Sequence, residues 1–175
     1  MTDVEADGSV TTSRDGDVLR LTLDRPSRRN ALSNSMIEAF VDLLTDAATD
    51  DSLRAIHIRG AGTDFCAGAD WVATNSAGQR PRTGDLVRRI PHTANRVIEL
   101  VHGIQLPVVC SVQGWAVGLG CNLALAADFT VAADDAVFWN RSSAAASLRT
   151  PAPRGCCPGS SAWHGPRRCC CSPRR

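Results

Sequence analysis

The sequence predicts an α/β fold. Three observations carry that expectation: short apolar segments of strand periodicity alternate with segments of helical periodicity through residues 17–140, glycine-rich turns follow two of the strands, and the residues after 140 lack the apolar side chains a core requires. At 175 residues the length suits one domain of ordinary size.

Val18 to Asp24 alternates, with Leu19, Leu21 and Leu23 on one face and Arg20 and Thr22 on the other, the period of a half-buried strand. From Ser33 to Thr49 the apolar positions Met36, Phe40, Val41, Leu43, Leu44 and Ala47 recur at three and four, with Ser33 or Asn34 placed to cap a helix. Arg54 to Arg59 reads as a second strand, closed by Gly60-Ala61-Gly62, and Asn75 to Gly84 has the composition of a loop that borders a site. Asp85 to Gly103 is helical in pattern, with Pro91 predicting a break or kink near Ile90. After Pro107, Val108, Val109 and Val112 form a short strand, Leu119 to Ala127 a buried small-residue helix, and Phe129 to Ala132 another strand.

Composition excludes several chemistries. The chain has 19 Arg and no Lys or Tyr, so a P-loop lysine, a Schiff-base lysine and a Tyr-plus-Lys dehydrogenase pair are all ruled out. A net charge of +1 conceals two unlike parts: residues 1–140 hold 12 Arg against 18 acids, and residues 141–175 hold 7 Arg against none. The second part also carries 5 of the 8 Cys and 5 of the 9 Pro, and its only apolar side chains larger than Ala or Cys are Leu148 and Trp163. Its burial cannot offset its ordering entropy. The expected organisation is a flexible N-terminus (1–16), a folded core (17–140) and an aberrant, disordered Arg/Cys/Pro-rich tail (141–175).

The tail charge lacks aromatic interleaving, which argues against a nucleic-acid partner. Its Cys-Cys and Cys-Cys-Cys runs lack the C-x2-C spacing of a metal hairpin and read as free thiols, so no metal is expected. The acidic start has no basic n-region or apolar h-region, and no apolar run is long enough to span a bilayer. A cytoplasmic protein with reduced thiols and no membrane partner is expected.

Two segments end a strand in glycine and small residues: FCAGAD (Phe65 to Asp70) and QGWAVGLG (Gln113 to Gly120). Such turns let a ligand approach the backbone, and N–H groups at a helix start face negative charge, so a pair of them can hold an oxyanion. Either segment alone reads more simply as a tight turn with a close helix contact. The spacing of Gly114, Gly118 and Gly120 also fits the phosphate turn of short-chain dehydrogenases, but it lies late in the chain and the Tyr and Lys of those enzymes are absent.

Taken in order, LTLDRPSRRNALS, FCAGAD, QGWAVGLGCNLALAAD and VAADDAVF resemble the enoyl-CoA hydratase/isomerase (crotonase) family, from about Val18 to Phe138. The resemblance implies a crotonase-like ββα superhelix, truncated here, whose substrate is an acyl-CoA thioester, with coenzyme A as part of that substrate and no separate cofactor. By position the thioester oxygen would accept hydrogen bonds from the backbone of Ala69 and Leu119. Such a donor is typically worth about 3 kcal/mol of barrier. Leu119, where the family usually has glycine, adds bulk beside the thioester. Arg29 would approach CoA phosphate, and the backbone at Ala31 and at Ala67, Gly68, Ala69 and Asp70 would line the CoA path. Read without the resemblance, Arg28 and Arg29 are surface charges in a loop.

Hydratases of the family add water with two glutamates acting as acid and base. The first of those positions is Asn122 here, an amide that cannot exchange a proton at neutral pH, and the second falls at Ser142. No acid follows Asp135. His57 reads as a packed or surface histidine, Cys66 as a small buried residue, Asp134 and Asp135 as a solvated turn, and His92 and His102 have no evident partner. None of them is assigned the missing role.

Back-translating the tail with GC-rich codons allows a neighbouring frame that continues in the family pattern, including a Pro-Asp-Ser-Gly whose aspartate is a base in some non-hydratase members and would fall near Arg149 and Thr150. The expectation is therefore a frameshift near Asn140 or Arg141. The chain would be a hydratase-like protein of acyl-CoA metabolism, weak or inactive, or else a dead acyl-CoA-binding fragment or the remnant of an isomerase-type enzyme. Without the C-terminal helices, the family's trimer or hexamer is not expected.

Overall fold

The computed structural model describes residues 8–70 and 94–140. A five-stranded sheet runs in the order β1-β2-β3-β4-β6, formed by β1 (Ser9–Asp15), β2 (Val18–Asp24), β3 (Ala55–Gly60), β4 (Val108–Val112) and β6 (Phe129–Ala132). β1 pairs antiparallel with β2 and every other neighbouring pair is parallel. The β1–β2 hairpin turns through Gly16 and Asp17, with Gly16 at φ +57°, which suits the first position of a two-residue hairpin loop.

One face of the sheet is apolar because each parallel strand alternates. Leu21, Leu23, Ile56, Ile58, Val108, Cys110 and Val112 are buried there, together with residues of α1 (Asn34–Ala48), α2 (Ala94–Gly103) and α3 (Leu119–Ala126). α1 contributes Met36, Ile37, Phe40, Leu44 and Ala47 at helical spacing, and it begins where the Ser33 hydroxyl accepts the Met36 N–H at 3.3 Å. α3 is buried almost all round, which its run of small and apolar residues allows. The opposite face of the sheet is polar on β2 and β3 and carries the exposed Phe129 and Val131 on β6. There His57 Nε2 lies 2.8 Å from Ser111 Oγ, and Arg59 Nε donates to Thr22 Oγ1 at 3.2 Å.

A second, two-stranded sheet pairs β5 (Trp115–Val117) in parallel with β7 (Val137–Trp139). Both strands are three residues long, too short to show a period, and were not expected. β1 is likewise an addition, lying in the 1–16 segment expected to be flexible. Its sequence SVTTSRD exposes six of seven side chains, so it carries no apolar stripe, yet Val10 packs on the core and its backbone completes the β2 ladder. The strands expected at Val18–Asp24 and Phe129–Ala132 coincide with β2 and β6. The loop expected at 75–84, the kink near Ile90 and the tail lie outside the described residues. No helix among those described is long and apolar enough to cross a membrane.

Candidate active site

β3 and β4 are parallel neighbours in register from Ile56↔Val108 to Arg59↔Ser111, so the loops after Gly60 and Val112 leave the same edge of the sheet side by side. In open parallel sheets ligand clefts form at these carboxyl ends. The two loops are tied together: Gln113 Nε2 donates to Gly60 O at 2.9 Å and the Trp115 N–H donates to Asp64 Oδ1 at 3.0 Å. Cys66 then pairs with Ala116, its N–H donating to Trp115 O at 2.9 Å and its carbonyl accepting from Val117 N–H at 2.8 Å.

That pairing brings the two glycine turns together. At Gly68 (φ +93°) a Cβ would stand 2.8 Å from Val117 O and 3.4 Å from Leu119 N, so a side chain there would clash, and residue 68 sits directly against the start of α3. On the other side, Leu32 N–H donates to Gly68 O at 2.7 Å and Leu32 O accepts from Asp70 N–H at 2.8 Å. In a parallel bridge of this form the central residue's own N–H and C=O point to the opposite side, so Ala69 N–H is turned away from Leu32. Leu119 N–H opens the first turn of α3, where helical amides lack intrahelical acceptors. Among the described residues neither of these two N–H groups has a hydrogen-bond partner. Two backbone donors on adjacent turns, one at a helix start, suit an anionic or polarised carbonyl oxygen.

Asn122 lies one turn after Leu119, and its Oδ1 accepts from Asn140 Nδ2 at 2.8 Å. The approach of β7 makes this contact, since Gly118 N–H donates to Trp139 O at 2.9 Å just before Asn140. Ser142, the other expected acid position, lies outside the described residues. Cys66 is wholly buried, and burial pushes its thiol up to about 12 despite the opposing hydrogen bond from Gly68 N–H, so it is no nucleophile at neutral pH. His57 is on the polar sheet face, where burial and then Arg20 and Arg59 lower its pKa and keep it neutral.

Arg29 is 65 % exposed, with Asp64 Oδ2 at 3.9 Å from its Nε, and its carbonyl accepts Ala67 N–H at 2.8 Å. Ala31 and the 67–70 segment thus run alongside each other, as the expected CoA path requires, but several groups on it are committed within the chain. Ala31 O accepts from Arg25 Nη1 at 3.2 Å, and the Asp70 carboxylate pairs with the same Nη1 at 2.6 Å.

Arg25, Asn30 and Asp64 escaped sequence reasoning. Asn30 is fully buried at φ +55°, accepting Arg25 N–H and donating to the carbonyls of Ala61 and Asp64, both at 2.8 Å. The available signal was an asparagine, tolerant of the left-handed region, set between charged loop residues and the apolar start of a helix. Among the described residues no group of His, Cys, Asp or Glu side chains could hold a metal.

Residues 13–145 match the family model for enoyl-CoA hydratase/isomerase. The chain is 37 % identical over 126 residues to the 2,3-dehydroadipyl-CoA hydratase of Escherichia coli (strain K12), covering 72 % of this chain and 47 % of that protein. It is 36 % identical over 123 residues to the 1,2-epoxyphenylacetyl-CoA isomerase of the same organism, covering 69 % and 46 %. Among solved structures, an enoyl-CoA hydratase/isomerase from Xanthobacter autotrophicus Py2 superposes with a TM-score of 0.70 at 31 % identity, covering 75 % of this chain and 48 % of that one. An enoyl-CoA hydratase from Polaromonas sp. JS666 gives 0.69 at 33 % identity, covering 81 % and 54 %. The chain spans about half the length of the relatives it matches.

Proposed function

The chain belongs to the enoyl-CoA hydratase/isomerase family, and from that premise we propose that it binds an acyl-CoA thioester with the carbonyl oxygen between the N–H groups of Ala69 and Leu119. The observation that carries this reading is the seating of Gly68 against Leu119 N, which sets two outward backbone donors on neighbouring turns. Fixed in place beforehand, such donors stabilise the enolate that forms when the thioester loses an α-proton or when water adds at the β-carbon of its enoyl group. Arg29, exposed and only loosely paired, reaches the CoA phosphates, while the backbone of Ala31 and of 67–70 lines the path to them.

The chain as written is a hydratase-like protein of weak turnover. Asn122 orients water through its amide but neither gives nor takes a proton, and general acid–base catalysis typically contributes about 10²–10⁴-fold. A second reading, a binding remnant with no turnover, is favoured by one contact: Asn140 occupies the Asn122 carbonyl oxygen that would otherwise hold the water. The composition of residues 141–175 supports their origin in a shifted reading frame, which the coding sequence tests directly.

The deciding experiment pairs calorimetric binding of crotonyl-CoA with its hydration, followed as loss of enoyl absorbance, on one sample of the chain. Binding with hydration above the uncatalysed rate but far below a full enzymatic one is the expected result, and binding with no hydration above the uncatalysed rate would select the remnant. Absence of binding would refute the thioester site, and hydration at a full enzymatic rate would refute the account of Asn122.

A further inference from the structure

We propose that the buried Arg25–Asp70 ion pair positions the thioester carbonyl by fixing the direction of the Ala69 amide; the inference rests on the reading of Ala69 and Leu119 as the oxyanion donors. Arg25 and Asp70 stand at the two ends of the same contact. Arg25 closes β2 and opens the 25–32 loop, and Asp70 immediately follows Ala69. Their side chains are 5 % and 7 % exposed, and Arg25 Nη1 meets Asp70 Oδ2 at 2.6 Å while also donating to Ala31 O at 3.2 Å. One guanidinium nitrogen thereby joins both strands of the Leu32↔Ala69 bridge.

The consequence for Ala69 is geometric. The Ala69 N–H shares its peptide plane with Gly68 O, which accepts from Leu32 N–H, and the following plane is held by Asp70 N–H on Leu32 O. Rotation at residue 70 would break the second of these bonds and leave the Leu32 bridge, and with it the plane of the Ala69 amide, held by the first alone. Movement of the Asp70 carboxylate would give up its 2.6 Å ion pair with the buried Arg25 guanidinium, so the pair resists that rotation. The main-chain loop at Arg25 is itself rigid, since Asn30 Oδ1 accepts Arg25 N–H at 2.9 Å and Asn30 N–H donates to Arg25 O at 2.9 Å. The ion pair transmits that rigidity across the chain to the residue beside the donor. Arg25 and Asp70 are positioning residues and touch no reacting atom.

The test compares butyryl-CoA with S-butyl-CoA, a thioether of the same length without the carbonyl, by calorimetry on the full chain. Two hydrogen bonds to the carbonyl should give the unaltered chain a preference of at least ~10-fold for the thioester. If it has none, the oxyanion reading itself fails. Given that preference, Asp70→Asn and Arg25→Lys should bring it to within about twofold of unity. Leu44→Ala, a cavity in α1 remote from both turns, serves as the control: it should lower the melting temperature and keep the preference. The proposal is overturned if folded Asp70→Asn and Arg25→Lys keep the preference, if both ligands weaken by one factor, or if Leu44→Ala loses the preference too. Should one of the two site variants fail to fold the other decides, and if both fail the pair is a folding determinant and the proposal falls.

Discussion

The two ends of the molecule are built on opposite terms. From β2 through β4 every second strand residue is buried against α1 and α2, and the largest side chains, Phe40, Phe65, Leu21, Leu23, Ile56 and Ile58, are all below 2 % exposure. In β5, β6 and β7 the pattern inverts, although α3 between them is buried. Trp115, Phe129, Val131, Val137, Phe138 and Trp139, the exposed large hydrophobics among the described residues, all lie between residues 115 and 139. β6 is the edge strand of its sheet, with Thr130 turned inward and Phe129 and Val131 outward. The candidate site falls on the boundary: Ala69 is held from the covered side through Leu32, whereas Leu119, Asn122 and Asn140 are held from the bare side through β5 and β7. The Ala69 turn therefore lies within the well-packed body, whereas the Leu119 turn and the part of the site that would handle protons rest against the least covered elements.

The comparison breaks most visibly where packing is densest. Phe40→Ala should cost about 3–5 kcal/mol by removing a fully buried ring from the contact of α1 with the sheet. A chemical denaturation midpoint close to that of the unaltered chain would mean that α1 is not packed as described.

Alkaline pH gives an effect of similar size for a different reason. The Cys66 thiol is raised from 9.0 to about 12 by burial, and burial drives Cys110 higher still. Between those pH values the unfolded chain releases a proton that the folded chain retains, so stability is intact below pH 9 and declines as pH rises toward 12. For Cys66 the interval corresponds to roughly 4 kcal/mol. With no Lys and no Tyr in the chain, cysteine thiols are the side chains that titrate in this range. Denaturation midpoints should fall steeply between pH 9 and 12, and less steeply in Cys66→Ala; equal slopes would show that Cys66 is not buried as a thiol.

A smaller effect is expected at the rim of the site. Arg29→Ala should weaken CoA-thioester binding about 3- to 10-fold, as for loss of one solvent-exposed hydrogen bond of about 1 kcal/mol, with little change in the melting temperature because that side chain is exposed. An affinity for crotonyl-CoA that does not change, or a loss that persists undiminished in high salt, would place the CoA phosphates elsewhere.

Legibility in the sequence follows the same division. β2 and α1 could be read nearly to the residue because each is long enough to repeat its period against a buried face, and Ser33 marks the start of α1 with a hydroxyl; β6 was legible from its aromatic and β-branched residues alone. β1 exposes most of its side chains and so shows no period, although its backbone is fully paired. β5 and β7 are fixed by pairing across 22 residues (Trp115↔Val137), which local pattern does not encode. The glycine turns were visible as turns. Their meeting was implied by the family resemblance alone, because it depends on the register of β3 against β4 and on the clearance at Gly68. Arg25 and Asp70 are 45 residues apart and each looks like an ordinary loop charge until the Leu32↔Ala69 bridge brings them together.

The smallest expected effect is the sharpest test of the contrast. Phe129→Thr combined with Val131→Thr replaces two outward side chains of β6 with a residue of good strand propensity, leaving Thr130 and the β4 ladder in place. If the flank is as bare in solution as its exposure indicates, the double substitution should change stability by no more than about 0.5 kcal/mol, the range of ordinary surface changes. Binding of a hydrophobic dye by the native protein should fall at the same time, because the apolar patch itself has been removed. A loss of several kcal/mol would instead show that Phe129 and Val131 are covered in solution. The two regions would then be packed alike, and the cover would have to come from residues beyond those described or from another chain. Measuring the melt at several protein concentrations separates those two sources: cover from the same chain leaves the midpoint fixed, and cover from another copy raises it with concentration.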